Sequence, residues 1–189
     1  KSPAQTFGGQ FRFDMVDDVI VGNAFPEGLQ GQNIARTIAL RAGLPESVPG
    51  QTVNRYCSSG LQTIALAANQ IIAGQGDIIV AGGVELMSAV PMGGNEPTNN
   101  PILEDQNVGV STPMGLTAEN VAQTYKVSRE DQDAYAVQSH QRAARAQREG
   151  KFEDEIIPID VHKVEYDAEG PQVHVKTFDQ DEFIRPDTN

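Results

Sequence analysis

Along the first half of the chain, short apolar runs alternate with longer stretches of helical spacing. Met15-Val16-Asp17-Asp18-Val19-Ile20-Val21-Gly22 closes on an uninterrupted apolar run, which predicts a strand with a buried end. Asn33 stands before Ile34, Ile38 and Ala42, and Gly43 and Pro45 follow, so a capped helix is predicted there. A short extended run follows over 49–55. From Ser58 to Ala73 the chain is rich in Leu, Ile and Ala, and Gly74 stops it. A helix that presents no charged face is expected to be buried on most sides. Asp77-Ile78-Ile79-Val80-Ala81 then reads as a short apolar strand of the kind buried in parallel sheets. Strand and helix thus alternate up to Gly83, which predicts an α/β layered fold.

The pattern changes after Val84. Residues 91–113 are rich in Pro, Gly and Asn and predict an extended loop. Thr117 is placed to cap a short helix through Val121. Ser128 precedes Arg129-Glu130-Asp131 and predicts a helix to Ala146, closed by Gly150. From Ile156 the pattern is extended, with a turn at Ala168-Glu169-Gly170-Pro171. This half reads as a helical and hairpin insertion, not as more of the sheet.

Composition narrows the classes. Of 189 residues, 39% are hydrophobic and 21% charged, which is a globular and not a disordered mixture. A formal net charge of −12 argues against nucleic acid or an anionic membrane as partner. It leaves a phosphorylated ligand open, because a few local cations and backbone N–H groups suffice for one. One cysteine cannot form an intramolecular disulfide, and three scattered histidines give no metal-binding run, so no metal is expected. The apolar stretches are too short for a membrane span. No signal peptide is evident, although the chain opens at Lys1 and not at Met. A reducing intracellular compartment, the cytoplasm, is the expectation.

The single cysteine has the most chemical promise. Asn54-Arg55-Tyr56-Cys57-Ser58-Ser59-Gly60-Leu61 sets Cys57 between a predicted strand and a predicted helix. A helix N-terminus stabilises a thiolate, and its unpaired N–H groups can hold a developing oxyanion. Yet free cysteine is also among the residues most often buried as small inert hydrophobes. No base adjoins it in sequence, and these local features leave both readings open.

A family resemblance bears on the choice. Thr52-Val53-Asn54-Arg55-Tyr56-Cys57-Ser58-Ser59-Gly60-Leu61-Gln62 resembles the nucleophile motif of the thiolases, and Ala81-Gly82-Gly83-Val84-Glu85-Leu86-Met87-Ser88 resembles the strand and turn that follow it. Met114 to Ala122, Ser128 to Asp133 and Asp181 to Pro186 resemble three further blocks, all in family order. The resemblance implies part of a layered αβαβα fold with an inserted loop domain. Residues 1–85 would be an incomplete N-terminal domain and 86–189 an incomplete loop domain. Cys-Ser-Ser-Gly-Leu-Gln is closest in style to the degradative 3-ketoacyl-CoA thiolases of fatty-acid β-oxidation. The implied reaction is ping-pong thiolysis, with coenzyme A as a substrate and no cofactor, in a homodimer or homotetramer.

The resemblance also assigns residues. It makes Cys57 the nucleophile, with its backbone N–H in the oxyanion hole. Arg185 corresponds to an arginine that contacts the nucleotide end of CoA, and Met114 to a methionine lining the pantetheine channel. An ordinary solvated arginine and a core methionine are the plain alternatives. Pro113 stands where many biosynthetic members have a histidine, which favours the degradative branch. His140, His162 and His174 match no catalytic histidine of the family, and Glu85 falls in a structural turn motif. The family's catalytic histidine in a Gly-His-Pro block, its Asn-Glu-Ala-Phe block and its second cysteine do not occur among these residues. The 189 residues alone are therefore expected to be inactive. The alternatives are an acetoacetyl-CoA thiolase, a ketoacyl-synthase-type condensing enzyme and a non-catalytic acyl-CoA-binding homologue. Gly60 and the block from Met114 to Ala122 favour thiolase over synthase.

Overall fold

In the computed structural model, which describes residues 11–106 and 109–189, the apolar run after Asp17 forms strand β1 (Asp18–Gly22). Strands β2 (Gly50–Val53) and β3 (Ile79–Gly83) lie parallel on either side of it, in the order β2-β1-β3. Helix α1 (Ile34–Arg41) connects β1 to β2, and helix α2 (Ser59–Ile72) connects β2 to β3. The first crossover runs from β1 to β2 and the second runs back from β2 past β1 to β3, and right-handed connections in opposite directions put the helices on opposite faces of the sheet. Side chains of β1 follow by alternation. Val19 and Val21 share a buried cluster with Val16, Ala35, Ala39 and Val48 on the α1 face. Each such valine contributes about 1.5–3 kcal/mol of burial. Gly22 turns to α2, where an added Cβ would sit 2.6 Å from the Ser59 carbonyl carbon. Only glycine lets the start of α2 approach the end of β1 so closely.

Polar side chains tie these elements together. Asn33 accepts from Arg36 N–H to cap α1 and donates to Gly50 O at 2.7 Å, joining the helix to β2. The Asp17 carboxylate accepts the N–H groups of Ile78 and Asp77, at 3.0 and 2.7 Å. These two bonds hold its pKa below the usual carboxylate range.

The described residues form two compact units, 11–106 and 109–189. Residues 86–106 go with the first, past the sequence-based boundary at 85/86. Gln30 accepts from Leu86 N–H and Glu27 accepts from Asn95 N–H, which fastens that segment to the loop after β1. The second unit contains helix α4 (Met114–Tyr125), helix α5 (Arg129–Arg148) and an antiparallel hairpin of β4 (Ile159–Asp167) and β5 (Gly170–Phe178). Ser128 caps α5 by accepting from Asp131 N–H at 3.1 Å. Gly150, at φ +68°, follows its end.

Several expectations need correction. The helix α2 is not buried on most sides: it buries Ser59, Thr63 and Ala67, four residues apart, against the sheet. Leu61, Ile64, Ile71 and Ile72 form a second apolar stripe that nothing among the described residues covers, with Leu61 71% and Ile72 83% exposed. Among the described residues, strand β3 lies at an edge of the sheet, with Val80 half-exposed, and not in its interior. The stretch 91–113 is not all loop, because helix α3 (Pro101–Gln106) forms within it. Asn100 Oδ1 caps that helix by accepting from Ile102 and Leu103 N–H, and Pro101 supplies its first residue. Thr117 does not cap the next helix. It lies inside α4, which begins at Met114 and runs on to Tyr125. Lys1-Ser2-Pro3, which resembles the end of the first strand in the thiolases, lies outside the described residues. Among the described residues, no helix is long and apolar enough to cross a membrane.

Candidate active site

Five residues, 54–58, separate the end of β2 from the start of α2. They form a tight turn, and the sharpest point is Tyr56 at φ +46°. A bulky aromatic residue in this left-handed region stores about 1–3 kcal/mol of strain, so the surroundings must hold it. Asn54 Oδ1 accepts from Tyr56 N–H at 2.9 Å, while Asn54 Nδ2 donates to Ala24 O at 2.8 Å. Ser59 Oγ accepts from Arg55 N–H at 2.8 Å and donates to Tyr56 O at 2.6 Å. Ser58 Oγ donates to Arg55 O at 2.9 Å. The Tyr56 ring lies beside Phe25, with centroids 6.2 Å apart.

Cys57 follows Tyr56 and is exposed. In this structure it is therefore not a buried thiol. It stands one residue before Ser58, the N-cap position of α2. Ser58 makes no side-chain cap, its hydroxyl being turned back to Arg55 O, so it consumes none of the helix's first N–H groups. The Cys57 N–H makes no hydrogen bond among the described residues. An accessible sulfur, an N–H without a partner among the described residues and the positive end of a 14-residue helix are thus adjacent along the chain. That arrangement suits nucleophilic attack on a carbonyl, with the N–H available to the oxygen as it gains charge.

Beneath the turn lies a polar layer that sequence reasoning missed. Glu85 accepts from Ala24 N–H at 2.7 Å, from Gln30 Nε2 at 2.6 Å and from Asn23 Nδ2 at 3.2 Å. Its carboxylate is thus engaged in holding the segment after β1 against the segment after β3. Asn23 and Gln30 are buried, and Gln30 Nε2 also donates to Phe25 O. Buried Thr63 donates from one hydroxyl toward both Gly60 O and Gly82 O, pinning α2 to β3. The available sequence signal was the cluster of Asn, Gln and Glu beside glycines at strand ends, where backbone groups seek side-chain partners.

The other candidates belong to the second unit, and Cys57 to the first. Met114 opens α4 and is 67% exposed, which differs from a plain core methionine. Arg185 has an exposed side chain, and its N–H donates to His140 Nδ1 at 3.2 Å, so the segment around it rests on α5. His140 is used structurally by that bond. His174 lies 3.6 Å from Glu165 on the hairpin, and His162 is paired with Val175 in its ladder. A groove of about 390 Å³ in the same unit is lined by Gln147, Phe152, Glu153, Ile156, Asp179 and Gln180, and includes neither Met114 nor Arg185.

Comparison with known proteins adds a separate line of support. A family model described as "Thiolase, N-terminal domain" matches residues 9–189. A "3-ketoacyl-CoA thiolase" of Bacillus subtilis (strain 168) is 52% identical over 174 residues, covering 92% of this chain and 44% of that protein. A "3-ketoacyl-CoA thiolase" of Acinetobacter baumannii (strain AYE) is 45% identical over 180 residues, covering 95% and 44%. Among solved structures, the crystal structure of the Bacillus anthracis acetyl-CoA acetyltransferase superposes with a TM-score of 0.77 at 35% identity, over 96% of this chain and 46% of that one. The chain spans less than half the length of each of these relatives.

Proposed function

The chain belongs to the thiolase family, and from that membership we propose that the full-length protein transfers acyl groups between 3-ketoacyl-CoA and CoA through a thioester on Cys57. The observation that carries this reading is the exposed Cys57 just before α2, its N–H without a partner among the described residues, inside a family match over residues 9–189. Cys57 Sγ bonds to the 3-keto carbon while the bond between that carbon and the neighbouring CH2 breaks. The electron pair leaves on the CH2 carbon, which takes up the proton the thiol gave up, and acetyl-CoA departs. In the second half, the sulfur of free CoA attacks the thioester, its proton returns to Cys57, and an acyl-CoA two carbons shorter leaves. Protons and electrons balance with no further reactant.

The names of the relatives support the degradative, 3-ketoacyl direction. Arg185 and Met114 are proposed to meet the nucleotide and the pantetheine arm of CoA, which their exposed side chains allow. A homo-oligomer is proposed as well, and the uncovered apolar stripe of α2 is consistent with further layers packing there. The solved acetyl-CoA acetyltransferase gives the second reading, an acetoacetyl-CoA thiolase, which differs only in acyl chain.

Initial rates measured against 3-ketoacyl-CoA at several CoA concentrations should give parallel reciprocal lines. Cys57→Ala should reduce turnover by a factor on the order of a thousand or more, as for loss of other covalent nucleophiles. Intersecting lines, or a Cys57→Ala enzyme that keeps its rate, would sink the proposal. Comparing acetoacetyl-CoA with longer 3-ketoacyl-CoA substrates decides between the two readings.

A further inference from the structure

Tyr56 lies immediately before the proposed nucleophile in a backbone conformation that an aromatic side chain disfavours. Rotation at this residue re-aims both the Cys57 sulfur and the Cys57 N–H relative to the start of α2. One side chain bridges the Tyr56 amide and the loop after β1. Asn54 accepts the Tyr56 N–H through Oδ1 and donates through Nδ2 to Ala24 O. Ala24 N–H in turn donates to Glu85 Oε2 at 2.7 Å, and Glu85 also binds Gln30. The turn that presents Cys57 is thereby referenced, through one amide, to the ends of β1 and β3.

The task needs an acceptor for an N–H two residues ahead and a donor for a distant carbonyl. Asparagine supplies both, ionised aspartate supplies only the acceptor, and alanine neither. We infer that Asn54 is a positioning residue for acyl transfer, holding Tyr56 left-handed so that the Cys57 sulfur and N–H address the same carbonyl group. The inference rests on the reading of Cys57 as the nucleophile. Asn54 is exposed and lies outside the buried cluster of Val19, Val21, Ala35 and Ala39, so its removal leaves the core intact.

Glycine populates left-handed φ at no steric cost, and that supplies the decisive readout. Once Asn54 is gone, the Ser59 hydroxyl on Tyr56 O is the remaining hold, and Tyr56 should relax toward negative φ, whereas a glycine at position 56 still visits the required conformation. Rapid-quench mass spectrometry of the full-length protein, mixed with acetoacetyl-CoA without free CoA, gives the acylation rate of Cys57. Asn54→Ala should slow it by about tenfold or more, the scale expected for a misaimed reacting group, with KM for thiolysis changed less than twofold. Asn54→Asp, which keeps the acceptor, should fall between Asn54→Ala and the wild type. Adding Tyr56→Gly to Asn54→Ala should recover at least threefold of the loss.

A rate loss below fivefold in Asn54→Ala, or no recovery in the double variant, overturns the positioning role while leaving Cys57 as nucleophile. A loss that follows melting temperature across the variants, without rescue, also overturns it, since a purely structural asparagine behaves that way. If the wild type itself carries no acyl group on Cys57, the functional reading fails first, and this inference fails with it.

Discussion

The two compact units of this chain are held together by different means. In residues 11–106, a parallel sheet is sandwiched between helices, and Val19, Ile20 and Val21 are buried along one strand. In residues 109–189, Ala144 is the one side chain in the buried apolar set among the described residues. There the structure comes from local rules: a capped 20-residue helix, and a hairpin whose ladder runs from Ile159–Phe178 to Asp167–Gly170. Burial fixes positions to fractions of an ångström, while caps and ladders fix only the local path of the chain. The exposed cysteine sits in the first unit, on a turn pinned by side-chain hydrogen bonds. Met114 and Arg185, proposed to meet a flexible ligand, sit in the second.

Substitutions can break this contrast, and the largest effect should come from the core. Ile20 is fully buried at the centre of the sheet. Ile20→Ala is expected to cost about 2–5 kcal/mol of stability in a denaturant titration. A loss below about 1 kcal/mol would mean that the first unit is not core-built. The buried amide of Gln30 comes next, because it serves Phe25 O, Glu85 and Leu86 N–H at once. Gln30→Leu keeps the bulk and strands those partners, for about 1–3 kcal/mol.

The second unit should respond more weakly and locally. Ser128→Ala removes the cap of α5 and is expected to cost about 1 kcal/mol, read as faster hydrogen exchange in the first turn of that helix. A cost matching that of Ile20→Ala would erase the distinction between the units. The smallest effect belongs to Asp17 and depends on pH. The N–H groups of Ile78 and Asp77 lower its folded pKa, so its contribution is complete above the ordinary carboxylate value of about 3.9 and fades as pH falls through the folded value. Asp17→Asn should therefore flatten the loss of stability as pH falls below about 4, and should lower stability at neutral pH. An unchanged acid limb would remove Asp17 from the account.

Much of the fold was legible in the sequence where one local rule decided the outcome. Asn33, with Ile34 and Ile38 behind it and Gly43 after, predicts α1 correctly because cap, periodicity and stop agree. Ser128 and the Gly170 turn do the same for α5 and the hairpin. The misses have physical causes. Asn100-Pro101 is a helix start, but it is submerged in a Pro- and Asn-rich stretch that reads as loop. The start of α4 carries no side-chain cap at Pro113, so the eye falls on Thr117, one turn too late. Helix α2 is apolar on two faces, and a sequence cannot say which face has a neighbour.

The candidate site divides in the same way. Cys57 was visible from its place between strand and helix and from the block around it. The left-handed Tyr56 was not, because aromatic residues avoid that conformation and only the tertiary hold of Asn54 and Ser59 imposes it. Glu85 was read as part of a turn, and its carboxylate indeed binds Ala24, Gln30 and Asn23.

Full-length protein mixed with a 3-ketoacyl-CoA in the absence of free CoA, digested and analysed by mass spectrometry, addresses the central claim most directly. The account predicts one added acyl mass on the peptide containing Cys57, released on adding CoA and absent after Cys57→Ala. An acyl group on another residue, or one that persists after Cys57→Ala, would contradict it.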